Sequence, residues 1–267
     1  MRGAVMTAIW SRRSLVGLLA AGGAVGFVSG CSQNPATGRQ QLMLVSDAQL
    51  EAMSQKAWAD LKAQTPLWRD AGAQRRLETI GARVADASGQ THLNWEFIAF
   101  DNPQINAFVL PGGRVGFFRG LMETAGDDAE IAAVMGHEAG HVVARHAAER
   151  MSQHLMVNAG VTLATFLLSG ELGQWADEAA AALGMGVMVG VLMPYSRDHE
   201  LEADRLGVDL MALAAYEPTA AVRFWSKMMA ASAGRERPLE LLSTHPSDGT
   251  RMEALQKHIA GMIGRPA

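Results

Sequence analysis

The chain of 267 residues has one cysteine, Cys31, few aromatic side chains and no block of basic residues. A lone thiol excludes an intramolecular disulfide framework and any zinc site built from several thiolates. With 23 Lys plus Arg against 27 Asp plus Glu, the formal charge is −4, so no nucleic-acid partner is expected. Long apolar runs are also missing. Residues 155–168 and 183–193 are uncharged but shorter than the roughly 20 residues a membrane-spanning helix needs, and they read as a buried helical hairpin or a lipid- or partner-facing patch. At 49% hydrophobic and 19% charged, the chain can bury one principal core.

Residues 1–30 differ from the rest. Arg2, Arg12 and Arg13 carry their only charges, and an uncharged run follows from Leu15 to Gly30, the layout of a secretory signal segment. Its end, Val28-Ser29-Gly30-Cys31, is similar to a bacterial lipobox. That resemblance implies cleavage before Cys31 and lipidation of its thiol, and several acyl chains together make such an anchor stable. Ser11 to Val16 is similar to a twin-arginine export signal, although a basic leader alone accounts for both arginines. Ser32, by resemblance to enterobacterial lipoproteins, points to the outer membrane, with the inner membrane left open. The expected organisation is a signal peptide at 1–30, a lipidated N-terminus and tether at 31–45, and one domain at 46–267.

Helical spacing and capping residues predict helices from Ser46 to about Lys62, over 71–87, from Asp127 and Asp128 onward, from Ser196 to Ala215, over 220–231, and from Asp248 to Ala260 with a stop at Gly261. Between residues 93 and 118 the period changes to two. Asn106 to Leu110, the Pro111-Gly112-Gly113 turn and Val115 to Phe118 read as strands of a small, largely antiparallel sheet in an α+β fold.

His137-Glu138-Ala139-Gly140-His141 carries the sharpest chemistry. Four residues advance about 400° in a helix, so both imidazoles leave one face a turn apart and can share one Zn²⁺, with Glu138 beside them as a general base toward water. Two histidines leave the ligand set open. His146 stands five positions after His141, about 140° around a continuous helix. In Ser196 to Arg205, Glu200 and Asp204 share one helical face, where one acid can bind metal and the other hydrogen-bond a ligating imidazole. His199 is a weaker ligand candidate, and Glu202, on another face, reads as an ordinary surface charge.

The stretches 34–50, 106–121, 129–146, 196–207 and 244–252 resemble the zinc metallopeptidase family that includes HtpX, the CAAX-prenyl endopeptidases and compact bacterial lipoproteins. The resemblance implies a mainly helical zincin-type (gluzincin) domain, one Zn²⁺ per chain, His137, His141 and Glu200 as ligands, Asp204 as support for a ligand, and Glu138 as the catalytic residue. Since the chain ends soon after Arg251 and lacks several spans, the compact lipoprotein branch without a TPR module is the expected one. The function implied is a zinc endopeptidase acting on misfolded or unassembled envelope proteins at the periplasmic side of the membrane. An envelope chaperone or scaffold using the same groove is the alternative, and the general base Glu138 weighs against it. Partners expected are unfolded envelope polypeptides, the lipid membrane through Cys31, and envelope assembly machinery or a second copy.

Two further segments invite roles. The strand Asn106, Ala107, Phe108, Val109, Leu110 can bind an extended peptide by β-addition, or be an ordinary internal strand. Arg251, in the first turns of the last helix, sits where the helix dipole favours acids, so a tertiary contact is expected. It pairs with an acid of the second motif or stabilises the oxyanion of the reaction, while His245 reaches the open zinc position in the resting enzyme. The blander alternative is that both residues only tie a loop to the core.

Overall fold

The computed structural model describes residues 31–169, 195–235 and 237–263. The leader 1–30 and the apolar stretch 183–193 lie outside them. Side chains that satisfy the free amides of a first turn mark most helix starts. Ser46 and Gln49 form a capping box at the head of α1 (Asp47–Gln64). Asp70 accepts from the amides of Gly72 and Ala73 at α2 (Ala71–Ala87). After the short α3 (Arg119–Thr124), Asp127 caps α4 (Asp128–Val143), and beyond α5 (His146–Ser169) Ser196 caps α6 (Arg197–Leu213). The chain continues as α7 (Thr219–Ser232), the single-turn α8 (Glu240–Thr244) and α9 (Gly249–Ile263), which runs through Gly261 instead of stopping there. The 155–168 stretch falls within α5. Among the described residues no helix is long and apolar enough to cross a membrane.

Strands β3 (Glu96–Phe100), β4 (Ala107–Leu110) and β5 (Arg114–Phe118) form a sheet in the order β3-β5-β4. The turn at 111–113 joins β4 and β5 antiparallel, as expected, but β3 runs parallel to β5, so the sheet is mixed. Every residue of β5 is buried, and a strand covered on both faces takes the centre, which leaves β4 on an edge. Arg114 enters that strand because Glu51 of α1 pairs with its guanidinium.

A second, two-stranded antiparallel hairpin, β1 (Cys31–Gln33) and β2 (Gln40–Leu42), lies apart from this sheet. Its polar residues are not free. Asn34 and Gln41 are buried and donate to the carbonyls of Val143 and Ala144 at the end of α4. From Asn34 onward, the segment expected as a tether is docked on the domain.

Helix α4 occupies the middle of the core. Its apolar residues Ile131, Val134 and Met135 are buried together with Leu77, Ile80 and Val84 of α2 and Phe117 of β5. On its other side α6 comes close enough that backbones touch. A Cβ at Gly140 would stand 2.7 Å from the carbonyl oxygen of Ala203, and one at Gly207 would stand 2.8 Å from the amide nitrogen of His137. Backbone atoms cannot swing aside as a flexible side chain can. We therefore expect Gly207→Ala to push the helices apart, destabilise the domain by about 1–3 kcal/mol and lower its zinc stoichiometry. Gly261→Ala, where a Cβ meets nothing within 4 Å, is the control. Equal thermal unfolding and zinc content in both variants would refute the contact's importance.

Candidate metal centre

The close approach of α4 and α6 brings the two motifs together. His137 and His141 leave α4 one turn apart, Glu200 and Asp204 leave α6, and His245 follows α8. His137 Nε2 lies 3.1 Å from His141 Nε2 and 3.1 Å from His245 Nδ1. Glu200 Oε1 lies 3.4 Å from His141 Nε2 and 3.1 Å from His245 Nδ1, while its Oε2 lies 3.4 Å from His137 Nε2. These four buried residues each offer a donor atom, all within 4.8 Å of one another. Two zinc bonds of about 2.05 Å at a tetrahedral angle hold their ligand atoms about 3.3 Å apart. The spacing and the donor chemistry therefore fit one Zn²⁺. Glu138 is equally buried, and its Oε1 has no hydrogen-bond partner among the described residues, the nearest ring nitrogen being His245 Nε2 at 3.4 Å.

Arg251 supplies the fixed positive charge here. Its guanidinium pairs with both oxygens of Asp204, at 2.8 Å for Nη2 to Oδ1, and lies 4.5 Å from the centre of the Trp225 ring. Its Nη1 is also 2.6 Å from Glu200 Oε2, a charge contact whose angle falls outside hydrogen-bond geometry. The same nitrogen donates to the carbonyls of His245 and Pro246, which steadies the loop bearing that imidazole. The pairing of Arg251 with an acid of the second motif, one of the two roles expected for it, is present. Asp204 Oδ1 also lies 2.9 Å from His137 Nδ1, so a proton on Nδ1 leaves the Nε2 lone pair toward the other donors. Burial opposes charge on His137, but Glu200 and Asp204 outweigh it and raise its pKa to about 9. For His141 burial prevails, and its pKa is well below the usual histidine value.

Two cavities meet at Tyr195, whose ring stacks on His141 at 3.9 Å. One, of about 190 Å³, is lined by β4, Glu138 and His245. The other, of about 560 Å³, is lined by Leu50, Leu110, His141 and Val142 among others. Along β4 only the edge toward β5 is paired, among the described residues.

Residues 71–259 match the description of Peptidase family M48. The chain belongs to this family. It is 32% identical over 250 residues to mitochondrial metalloendopeptidase OMA1 of Schizosaccharomyces pombe, covering 91% of this chain and 71% of that protein. Human OMA1 is 31% identical over 243 residues, 85% of this chain and 45% of the human protein. The beta-barrel assembly-enhancing protease of Escherichia coli K12 is 28% identical over 195 residues, 72% of this chain and 40% of that protein. The chain thus spans less than half of the human and E. coli relatives. Its fold is that of an HExxH zinc metallopeptidase, and the His, His, Glu, His cluster is a site of zinc-metalloendopeptidase type for one ion.

This M48 chain surrounds His141 differently from what its sequence suggests. Helix α4 ends at Val143 with Ala144 as its C-cap, and Arg145 adopts a left-handed φ of 56°. The turn sets His146 beneath His141, with the two Nδ1 atoms 2.8 Å apart, so the 140° offset of a continuous helix does not apply. Arginine is no recognisable helix breaker, and nothing in the sequence marks this turn. Glu202 is not an ordinary surface charge either. It is 7% exposed, and its Oε2 is 2.9 Å from His146 Nε2 and 3.0 Å from Arg39 Nε. His199 stays outside the metal cluster, its Nε2 3.2 Å from Glu149 Oε2.

These environments shift stability with pH in opposite senses. Burial takes His146 from 6.5 down to about 4. Burial would raise Glu202, but the His146 bond and the charges of His146 and Arg39 outweigh it and take the carboxyl from 4.5 to about 2. Both groups resist protons that the unfolded chain accepts, so stability falls as pH drops through these windows. His137 holds its proton more tightly than the unfolded chain, so its contribution is complete below 6.5 and lost as pH rises through about 9. Thermal unfolding of the metal-free protein in a chelator should give a maximum near pH 6.5 and lower midpoints at pH 4 and pH 9. A flat profile would contradict these assignments.

Proposed function

We propose that this chain is a lipid-anchored endopeptidase on the periplasmic side of the outer membrane that hydrolyses peptide bonds in misfolded or unassembled envelope proteins, within the compact lipoprotein branch of its family. The observation that carries the reading is one cavity shared by an edge strand and a buried carboxylate. Asn106 to Leu110, Glu138 and His245 line the same space. A strand edge bonds an incoming backbone whatever its side chains, which suits a protease with many clients. Support for the setting comes from the lipobox-like residues before Cys31 and from a bacterial relative named for enhancing β-barrel assembly.

His137, His141 and Glu200 would hold the zinc ion, which, when bound, polarises a carbonyl and makes water more acidic. Glu138 takes the proton of the attacking water as its oxygen bonds to the carbonyl carbon, and passes that proton to the amine when the C–N bond breaks. Asp204 orients His137, and Arg251 keeps Asp204 and Glu200 ionised in a buried site. His245 occupies the donor position left for water and substrate, and swings away when substrate binds.

Glu138→Gln should keep zinc and lose about 10²- to 10⁴-fold in casein cleavage, and more than a tenth of wild-type kcat would sink the role. Cys31→Ser should leave a larger precursor that takes up no palmitate analogue; equal labelling of both proteins would refute the anchor. His245→Ala should retain zinc and cleave an unstructured reporter faster than wild type. Slower cleavage with zinc retained, at unchanged KM, would mark His245 as a transition-state donor instead.

A further inference from the structure

The candidate ligands His137 and His141 are supported from opposite ends of the chain. Behind His137 stands a carboxylate, Asp204, fixed by Arg251 of α9. Behind His141 stands a second imidazole, and the hydrogen-bond directions there can be worked out. To turn its Nε2 lone pair toward a metal, His141 must carry its proton on Nδ1. That proton can only be donated to Nδ1 of His146, 2.8 Å away, which must therefore be an acceptor. A neutral His146 accepting at Nδ1 carries its own proton on Nε2, and Nε2 faces Glu202 Oε2 at 2.9 Å. One direction satisfies all three groups: His141 to His146, and His146 to Glu202.

Glu202 needs holding too. It shares the region with Glu149, another buried carboxylate, and one guanidinium spans them. Arg39 donates through Nε to Glu202 at 3.0 Å and through Nη1 to Glu149 at 2.8 Å, with Nη2 on the second Glu149 oxygen. A planar fork can serve two carboxylates in this way, whereas an ammonium is a point charge. Arg39 belongs to the β1–β2 hairpin, and that hairpin is pinned. Asn34 and Gln41 bond the carbonyls at the end of α4, and Gln41 Nε2 also donates to Glu149 at 2.8 Å.

We propose that Glu202 and Arg39 are positioning residues for the metal ligand His141, acting through His146, and that the N-terminal hairpin is thereby part of the metal centre. Glu202 locks His146 in the form that accepts from His141, and Arg39 keeps Glu202 from swinging out to water. The proposal rests on His137, His141 and Glu200 being the ligands, and one control separates the two. Without Glu200 as a ligand, Glu200→Gln would bind zinc as wild type does, whatever happens at the hairpin.

The test is zinc affinity by competition with a chromogenic chelator, alongside the unfolding midpoint of each metal-free protein. Glu202→Leu and Arg39→Met should weaken zinc by about 10- to 100-fold, the range for groups that orient a ligating imidazole. Glu202→Gln, which keeps an oxygen for the His146 proton, should stay within about threefold of wild type. Arg39→Lys, which can hold only one carboxylate well, should fall between Arg39→Met and wild type. A hairpin that merely staples the fold would lower the midpoints and leave zinc affinity unchanged. That result, or equal zinc loss in Glu202→Gln and Glu202→Leu, would overturn the proposal. Should the Leu and Met variants fail to fold, the ordering of wild type, Glu202→Gln and Arg39→Lys still decides it, and affinity in Arg39→Lys equal to wild type overturns it.

Discussion

The distance between α4 and α6 governs this molecule. Side chains as short as Glu200 and Asp204 reach the imidazoles of His137 and His141 only because no Cβ stands between the helices at Gly140 and Gly207. The glycine inside the His-Glu-Ala-Gly-His motif is therefore as much a part of the site as the histidines. A Cβ at either position would have to push the helices apart and carry Glu200 and Asp204 away from the imidazoles.

Such closeness places charge where water cannot reach it. Glu138, Glu200 and Asp204 are all buried, and buried carboxylates are tolerated only when paired. Arg251 answers two of them, and a divalent cation suits the rest of the cluster. On the far side of His141 the same physics recurs with Glu149, Glu202 and Arg39. Both guanidiniums lie outside the two motifs, so the motifs alone do not make a site that is electrically sound.

Much of this was legible in the sequence, for reasons that can be named. Helix starts at Ser46, Asp127 and Ser196 are written by local capping chemistry, and the pairing of His137 with His141, and of Glu200 with Asp204, follows from helical period. His245 and Arg251 could be singled out only by resemblance and by an ill-placed charge. The rest depended on tertiary events with no local signature. The parallel pairing of β3 with β5 is one of them. A continuous helix carries His146 away from His141, and the left-handed Arg145 that reverses this has no mark in the sequence. Glu202 reads as a surface charge for a related cause: period says which face a residue occupies, but not what covers that face, and here Arg39 arrives from 163 residues away.

That separation has a temporal side. Arg39 meets Glu202, and Arg251 meets Asp204 and His137, across 114 positions in the last case. A polypeptide that emerges amino end first exposes its hairpin and α4 long before the segment bearing His245 and Arg251 has appeared. Contacts so distant in sequence close late, because the loop entropy must be overcome before they contribute. The centre is therefore incomplete until synthesis is nearly finished, and a chain grown only as far as α5 carries the histidine motif without Glu200, Asp204 and Arg251.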